Sequence, residues 1–274
     1  MSDIFDSKVS FAEFFGWKNH PFAVDYNLDC PFFSNHEKKV LQIANSLLSN
    51  GKNFVVTGVT GSGKSTLVQF LISNLDKNYY LPIFVSYGGL NRSGMQKAIG
   101  EALGIDMTSY ATPAIIKLQK QLKNMATGQK SKFPVFFIDE ANLMEKESFR
   151  DICSLLFHPD NRIAAALVLV GDVSLKQKLS MHVMASVKSR IVSIFSTKAL
   201  SHNESVDFFN ARLKSAKAPN DLFDRDAIEI IASSCQGNQR AIINLATILL
   251  EEAFFRNEKT VGSHLVVECE NMTI

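Results

Sequence analysis

The 274-residue chain has four cysteines, Cys30, Cys153, Cys235 and Cys269, and none stands at a paired spacing. That scatter excludes a disulfide framework and a structural zinc site, which need clustered thiols; the four are read as reduced core or surface thiols. Charge of either sign is not in excess either. Lys plus Arg number 29 against 27 Asp plus Glu, so any polyanion must be held at a local site rather than by a global field. No run reaches the roughly 18 consecutive apolar residues of a membrane span. The start, Met-Ser-Asp-Ile-Phe-Asp, lacks the basic and then apolar pattern of a signal peptide. A cytoplasmic protein without a membrane partner is expected. Repeats and low-complexity tracts are absent, and 46% hydrophobic with 20% charged residues excludes a disordered or coiled-coil chain. Tryptophan occurs once but phenylalanine 21 times, which reads as core material.

What is present is an alternation. Short β-branched runs at 53–57, 81–87, 134–138 and 165–170, with a weaker one at 191–197, are nearly continuous in apolar residues. Such runs suit strands of a parallel sheet covered on both faces. Helical patterns lie between them at 65–75, 93–103, 113–125, 146–157 and before Arg190, with Thr112 ahead of Pro113 as a helix start. Beyond residue 200 no strand pattern follows. Ser201 with Glu204 forms a capping box, and helices are expected from there, at 226–235 and at 239–255, while 261–274 is ambiguous.

The strongest motif is Gly58-Val59-Thr60-Gly61-Ser62-Gly63-Lys64-Ser65, which fits G-x-x-x-x-G-K-[ST] between a predicted strand and a predicted helix. Glycines let successive N–H groups turn inward on a phosphate chain, and the helix N-terminus adds positive potential. Lys64 is then placed for the β and γ phosphates of ATP and Ser65 for Mg²⁺, with Thr66 supporting that shell. The run 135–138 ends in Asp139 and Glu140. On a strand neighbouring the first, Asp139 would share the metal with Ser65 and leave Glu140 to deprotonate a water.

These residues, with Phe137-Ile-Asp-Glu-Ala-Asn-Leu143, Leu169-Val-Gly171-Asp172, Gly237-Asn-Gln-Arg240 and the start Phe14-Phe-Gly-Trp17-Lys-Asn-His-Pro21-Phe22, resemble the AAA+ ATPases of the ExeA-like group, which includes transposition ATPases of the MuB, TniB and TnsC type. The resemblance implies an AAA+ P-loop NTPase. Its parallel five-stranded sheet has helices on both faces and is followed by a small all-helical lid. The implied divisions are 1–50 as an N-terminal segment and first helix packing on the ATPase core, 51–200 as the nucleotide-binding domain and 201–274 as the lid. By the same resemblance Asp172 is the polar sensor of the γ-phosphate, Arg190 the arginine finger that reaches a neighbouring subunit, and Arg240 the second sensor. The Gly-x-Pro-Arg of the family reads Gly-Asn-Gln-Arg here. Pro21, Phe22, Phe32 and Phe33 are candidates for an adenine pocket or for plain core packing.

A finger supplied in trans implies a homo-oligomer, ring or filament. ExeA-type proteins continue into a membrane segment, whereas this chain ends at Ile274, which favours the transposition type: an oligomer on duplex DNA that recruits a transposase, with a target-selection protein as a further partner. The glycine-rich, basic stretch 86–94 is the candidate DNA loop, with Arg92, Lys97 and Thr112 as backbone contacts. A soluble secretion-system ATPase and an ATP-dependent assembly switch with little hydrolysis are the alternatives.

Overall fold

A computed structural model of the protein describes residues 10–23, 31–108, 112–127, 132–157 and 163–269, so Cys30 and the ends 1–9 and 270–274 lie outside the described residues. In chain order the elements begin with α1 (Phe11–Phe15), α2 (Asn35–Ser49), β1 (Asn53–Thr57), α3 (Lys64–Asn74), β2 (Tyr80–Ser86), α4 (Arg92–Ala102), α5 (Ala114–Thr127) and β3 (Phe133–Asp139). A 3-10 turn, Ala141–Leu143, leads to α6 (Lys146–Ser154), β4 (Ala166–Gly171), α7 (Val173–Ser180), α8 (Ala185–Lys188) and β5 (Ile191–Ser196). Four helices follow: α9 (His202–Ala216), α10 (Arg225–Ser234), α11 (Gln239–Phe255) and α12 (Ser263–Cys269).

All strand pairs are parallel, in the order β2-β3-β4-β1-β5. This corrects one expectation: β3, which ends in Asp139, does not neighbour β1, because β4 stands between them. Every residue of β1 and β4 is buried, so the central strands are covered on both faces. Val55, Phe136, Ile138, Leu167 and Leu169 join one core cluster with Met95, Ile99, Leu118 and Phe149, while Phe54, Val56, Phe137 and Val168 alternate onto the opposite face. Each such side chain contributes about 1.5–3 kcal/mol by leaving water.

By its contacts the chain divides into two units. One comprises 36–60 and 64–197 and holds the sheet. The other comprises 1–35, 61–63 and 198–274. The expected division has 1–50 as one segment packing on the ATPase core; by contacts the chain divides between Asn35 and His36. The reason lies in the aromatic residues of the start. Phe15, Trp17 and Phe22 are buried in the helical unit's own core, Phe15 stacks on Trp17 at 4.8 Å, and Phe22 packs on Phe209 at 5.0 Å. Buried Arg212 of α9 donates to Pro21 O at 2.8 Å and to Ala23 O at 3.0 Å. Phe22 is therefore a core residue of that unit, and Phe33 is buried as well.

Other departures are local. Helix α6 ends at Ser154 instead of 157, since Phe157 pairs as an isolated bridge with Ile163. The helical stretch before Arg190 is broken at Met181, whose backbone is extended. Within the segment 261–274, ambiguous in its sequence pattern, Ser263–Cys269 form α12.

Candidate functional site

Because all five strands run the same way, the loops after β1, β4 and β3 leave one edge of the sheet, the edge at which open parallel sheets bind ligands. Between β1 and α3, Gly61 and Gly63 both have φ 82°. Ser62 between them is not left-handed, and this alternation turns successive amides to one side of the chain. Lys64 opens α3 and its ammonium runs back over the loop, donating to Gly58 O at 2.9 Å and Val59 O at 2.8 Å. Ser65 follows it, exposed in the first turn, with Thr66 half-buried behind; Val59 and Thr60 are exposed.

Within the helical unit, Arg240 N donates to Gly61 O at 3.2 Å, and Asn238 caps α11 by accepting from Arg240 N at 3.0 Å and Ala241 N at 3.2 Å. A β-carbon at Gly61 would meet Asn238 Oδ1 at 2.2 Å, and one at Gly63 would meet the Gln239 amide at 2.8 Å. Positive φ favours glycine at both positions, and at Gly61 the Arg240 β-carbon, 2.8 Å from where a β-carbon would stand, leaves no room for a side chain. Arg240 itself is exposed.

At the end of β3, Asp139 Oδ1 accepts from Glu140 N at 2.8 Å. Glu140 is left-handed, φ 53° and ψ 33°, a conformation that costs a residue with a β-carbon about 1–2 kcal/mol. Strain of this kind collects at functional positions. Among the described residues no group of three or more His, Cys, Asp or Glu could hold a metal by itself. The Ser65 hydroxyl and the Asp139 carboxylate are nonetheless hard oxygen donors of the kind Mg²⁺ takes, with water and phosphate oxygens completing its shell.

Asp172, after β4, lies on the strand end between those two loops and caps α7, accepting from Ser174 N at 2.8 Å and from the Ser174 hydroxyl. The Ser174 hydroxyl bond chiefly holds its carboxyl below the usual range, and the Lys64 charge adds to the effect. Two residues to which the sequence assigns no role organise this corner. Asn142 Oδ1 accepts from Asp172 N at 3.3 Å, and Lys178 Nζ donates to Asn142 O at 2.8 Å and Met144 O at 2.5 Å. Asn142 stands two residues after the acidic pair, which was the available signal.

Arg190 precedes β5, at the opposite edge of the sheet. Its guanidinium donates to Ser186 O and lies over the Phe157 ring at 5.9 Å. Five strand residues, about 17 Å, separate that edge from the phosphate-loop edge.

The DNA-loop reading needs correction at Arg92. That residue is not in the loop but opens α4, because Asn91 caps the helix through Gly94 N at 2.8 Å. Its guanidinium is taken by Asp151, Nε to Oδ2 at 2.6 Å and Nη2 to Oδ1 at 2.8 Å, with Glu145 and Glu147 nearby. The neighbourhood is therefore acidic. Lys97 and Thr112 are exposed.

Residues 47–179 match the family described as the AAA domain. The fold is that of an AAA+ P-loop NTPase. The chain is 24% identical over 233 residues to DNA polymerase III subunit gamma of Buchnera aphidicola subsp. Schizaphis graminum (strain Sg), covering 82% of this chain but 59% of that protein's length. In structure it is similar to the Aeropyrum pernix ORC2 protein in ADPNP–ADP complexes, with a TM-score of 0.76 at 15% identity over 94% of this chain and 72% of that one. The Aeropyrum pernix ORC1 protein in complex with DNA gives 0.70 at 16%, over 92% and 68%. The Thermotoga maritima RuvB Holliday junction branch migration motor gives 0.60 at 18%, over 88% and 69%. These comparisons reach the AAA domain and the AAA+ fold, which is broader than the ExeA-like group. Among the described residues no helix is long and apolar enough to cross a membrane.

Proposed function

We propose that the chain binds and hydrolyses Mg-ATP, assembles into homo-oligomers and acts on duplex DNA. The observation that carries this reading is the distribution of charge over the sheet's two edges: Lys64, Asp139, Glu140 and Asp172 at one, Arg190 at the other. Glu140 accepts a proton from water, the water oxygen bonds to the γ-phosphorus, and the bond from that phosphorus to the β–γ bridging oxygen breaks, releasing ADP. Lys64 steadies the charge on the phosphates. Mg²⁺, held by Ser65 and Asp139, would neutralise charge on the β and γ oxygens. The distance of Arg190 from its own loop supports its use in trans, in a ring or filament, and Arg240 is assigned to the nucleotide as second sensor.

Action on DNA is supported by what the similar proteins are: a DNA polymerase subunit, an ORC1 protein in complex with DNA and a branch migration motor. Lys97 and Thr112 are the candidate backbone contacts, and Arg92 contributes only if it leaves Asp151. The finer reading, a transposition regulator that recruits a transposase and a target-selection protein, rests on the ExeA-like resemblance. ATPase rates with and without duplex DNA test the reading, together with electron microscopy in an ATP analogue. DNA-stimulated, salt-sensitive turnover and ordered assemblies on DNA are expected. Turnover and assembly both indifferent to DNA would refute it. One observation favours an assembly switch with slow hydrolysis: the Asp172 carboxylate is engaged in capping α7. Tight ATP-dependent assembly with little phosphate release would select that reading.

A further inference from the structure

Glycine at position 88 is not demanded by its own backbone. The segment 87–90 is a turn closed by Leu90 N donating to Tyr87 O at 2.9 Å. The positive φ of its third position, 76°, belongs to Gly89. Gly88 lies outside the left-handed region, and the second position of such a turn accepts most residues.

What Gly88 lacks matters to Glu140. A β-carbon at 88 would stand 1.8 Å from Glu140 Oε2 and 3.0 Å from its carboxyl carbon. The carboxylate thus rests against a bare Cα. Both sides of this contact are held in place. Tyr87 N donates to Asp139 O at 2.9 Å, and the buried Tyr87 hydroxyl is 2.9 Å from Ser148 Oγ on α6. Across the turn, Arg92 and Gln96 both donate to Asp151 of the same helix. Glu140 N is tied to Asp139 Oδ1. With both backbones held, the direction of the carboxylate depends on the Glu140 side-chain torsions and on what residue 88 leaves open to them.

We propose that Gly88 is a positioning residue for Glu140: the bare Cα seats the carboxylate, and any side chain at 88 swings it away while leaving the fold intact. The fold survives because the displaced atoms are the end of a flexible, exposed side chain. The proposal rests on the reading of Glu140 as the base of an ATPase.

Steady-state kinetics on the full chain test it through Gly88→Ala. The expected result is a kcat lowered about tenfold or more, an ATP KM within about twofold and a Tm within about 2 °C of wild type, as for loss of general-base geometry. Glu140→Asp shortens the side chain and withdraws it from position 88. In that background Gly88→Ala should cost less than about threefold in kcat. An unchanged kcat in Gly88→Ala, or the same loss in both backgrounds, overturns the proposal. A wild-type chain without ATP hydrolysis would instead overturn the reading of function. The seating is then decided by the Glu140 side-chain ¹³C carboxyl resonance, identified by its loss in Glu140→Gln. Movement of that resonance on Gly88→Ala supports the contact, and an unmoved resonance refutes it.

Discussion

Asp172 stands in two places at once, at the strand end beside the phosphate loop and at the N-cap of α7, and substitutions can separate the two. Its carboxylate serves Ser174 N at 2.8 Å and the Ser174 hydroxyl. Asp172→Ala removes the cap from an eight-residue helix whose first residues, Val173 and Ser174, are exposed, so water replaces the lost acceptor. The expected cost is about 1 kcal/mol, within the 0.5–2 kcal/mol range for caps. For a chain of this size that is a fall in Tm of about 2–4 °C. Asn caps about as well as Asp, so Asp172→Asn should lose less than half of this, the remainder being the charge–dipole contribution of a few tenths of a kcal/mol. The sign with pH follows from the depressed carboxyl. Its stabilisation is present above the unfolded value of about 3.9 and is lost as pH falls through the lower folded value, so the deficit of Asp172→Ala should close under acid. Differential scanning calorimetry measures these shifts, and ATPase assays at 25 °C measure the second role. If Asp172 senses the γ-phosphate, Asp172→Asn keeps turnover within a few-fold, while Asp172→Ala loses about tenfold or more, equivalent to about 1.4 kcal/mol. A full wild-type rate in Asp172→Ala would leave only the cap, and an unaltered Tm would refute the capping argument itself.

Glu140→Gln should retain ATP binding, lose about 10²–10⁴-fold in hydrolysis and trap the assembled form; sizing chromatography with ATP and a phosphate-release assay check this. Arg190→Ala should bind ATP like wild type yet fail to hydrolyse it, and mixing it with Lys64→Ala should restore part of the rate if the arginine acts in trans. Equal ATP-independent failure of the mixture would count against that geometry. Burial raises the Cys153 thiol to about 11, so it should resist alkylation by iodoacetamide at pH 8, where thiolate is scarce, and react only after unfolding. Mass spectrometry with and without denaturant reads the outcome.

How much of this was legible in the sequence depends on how local the signal was. The five strands stand where apolar runs between turn residues placed them, β1 at 53–57 to the residue. The capping box at Ser201 and helix α11 likewise follow from local pattern. The order of the strands is set by which runs pair, so the insertion of β4 between β1 and β3 left no mark on any single segment. Arg92 was misread for a similar reason. Asn91 with Gly94 was a readable cap, but Asp151, 59 residues on, could not be seen as its partner. The aromatic start was legible as a motif and not as packing, since its partners Phe209, Phe223 and Phe254 lie about 190–240 residues away. Nor does sequence alone show that Glu140 is left-handed or that Gly88 lies under its carboxylate.

The proposed function requires that amides of residues 58–65, with Lys64, hold a triphosphate whose metal is shared by Ser65 and Asp139. Isothermal titration calorimetry of the full chain with a non-hydrolysable ATP analogue, with and without Mg²⁺, tests it most directly. Saturable one-site binding that weakens without Mg²⁺ and disappears in Lys64→Ala is expected. Binding that is absent from the wild type, or unchanged in Lys64→Ala, would contradict it.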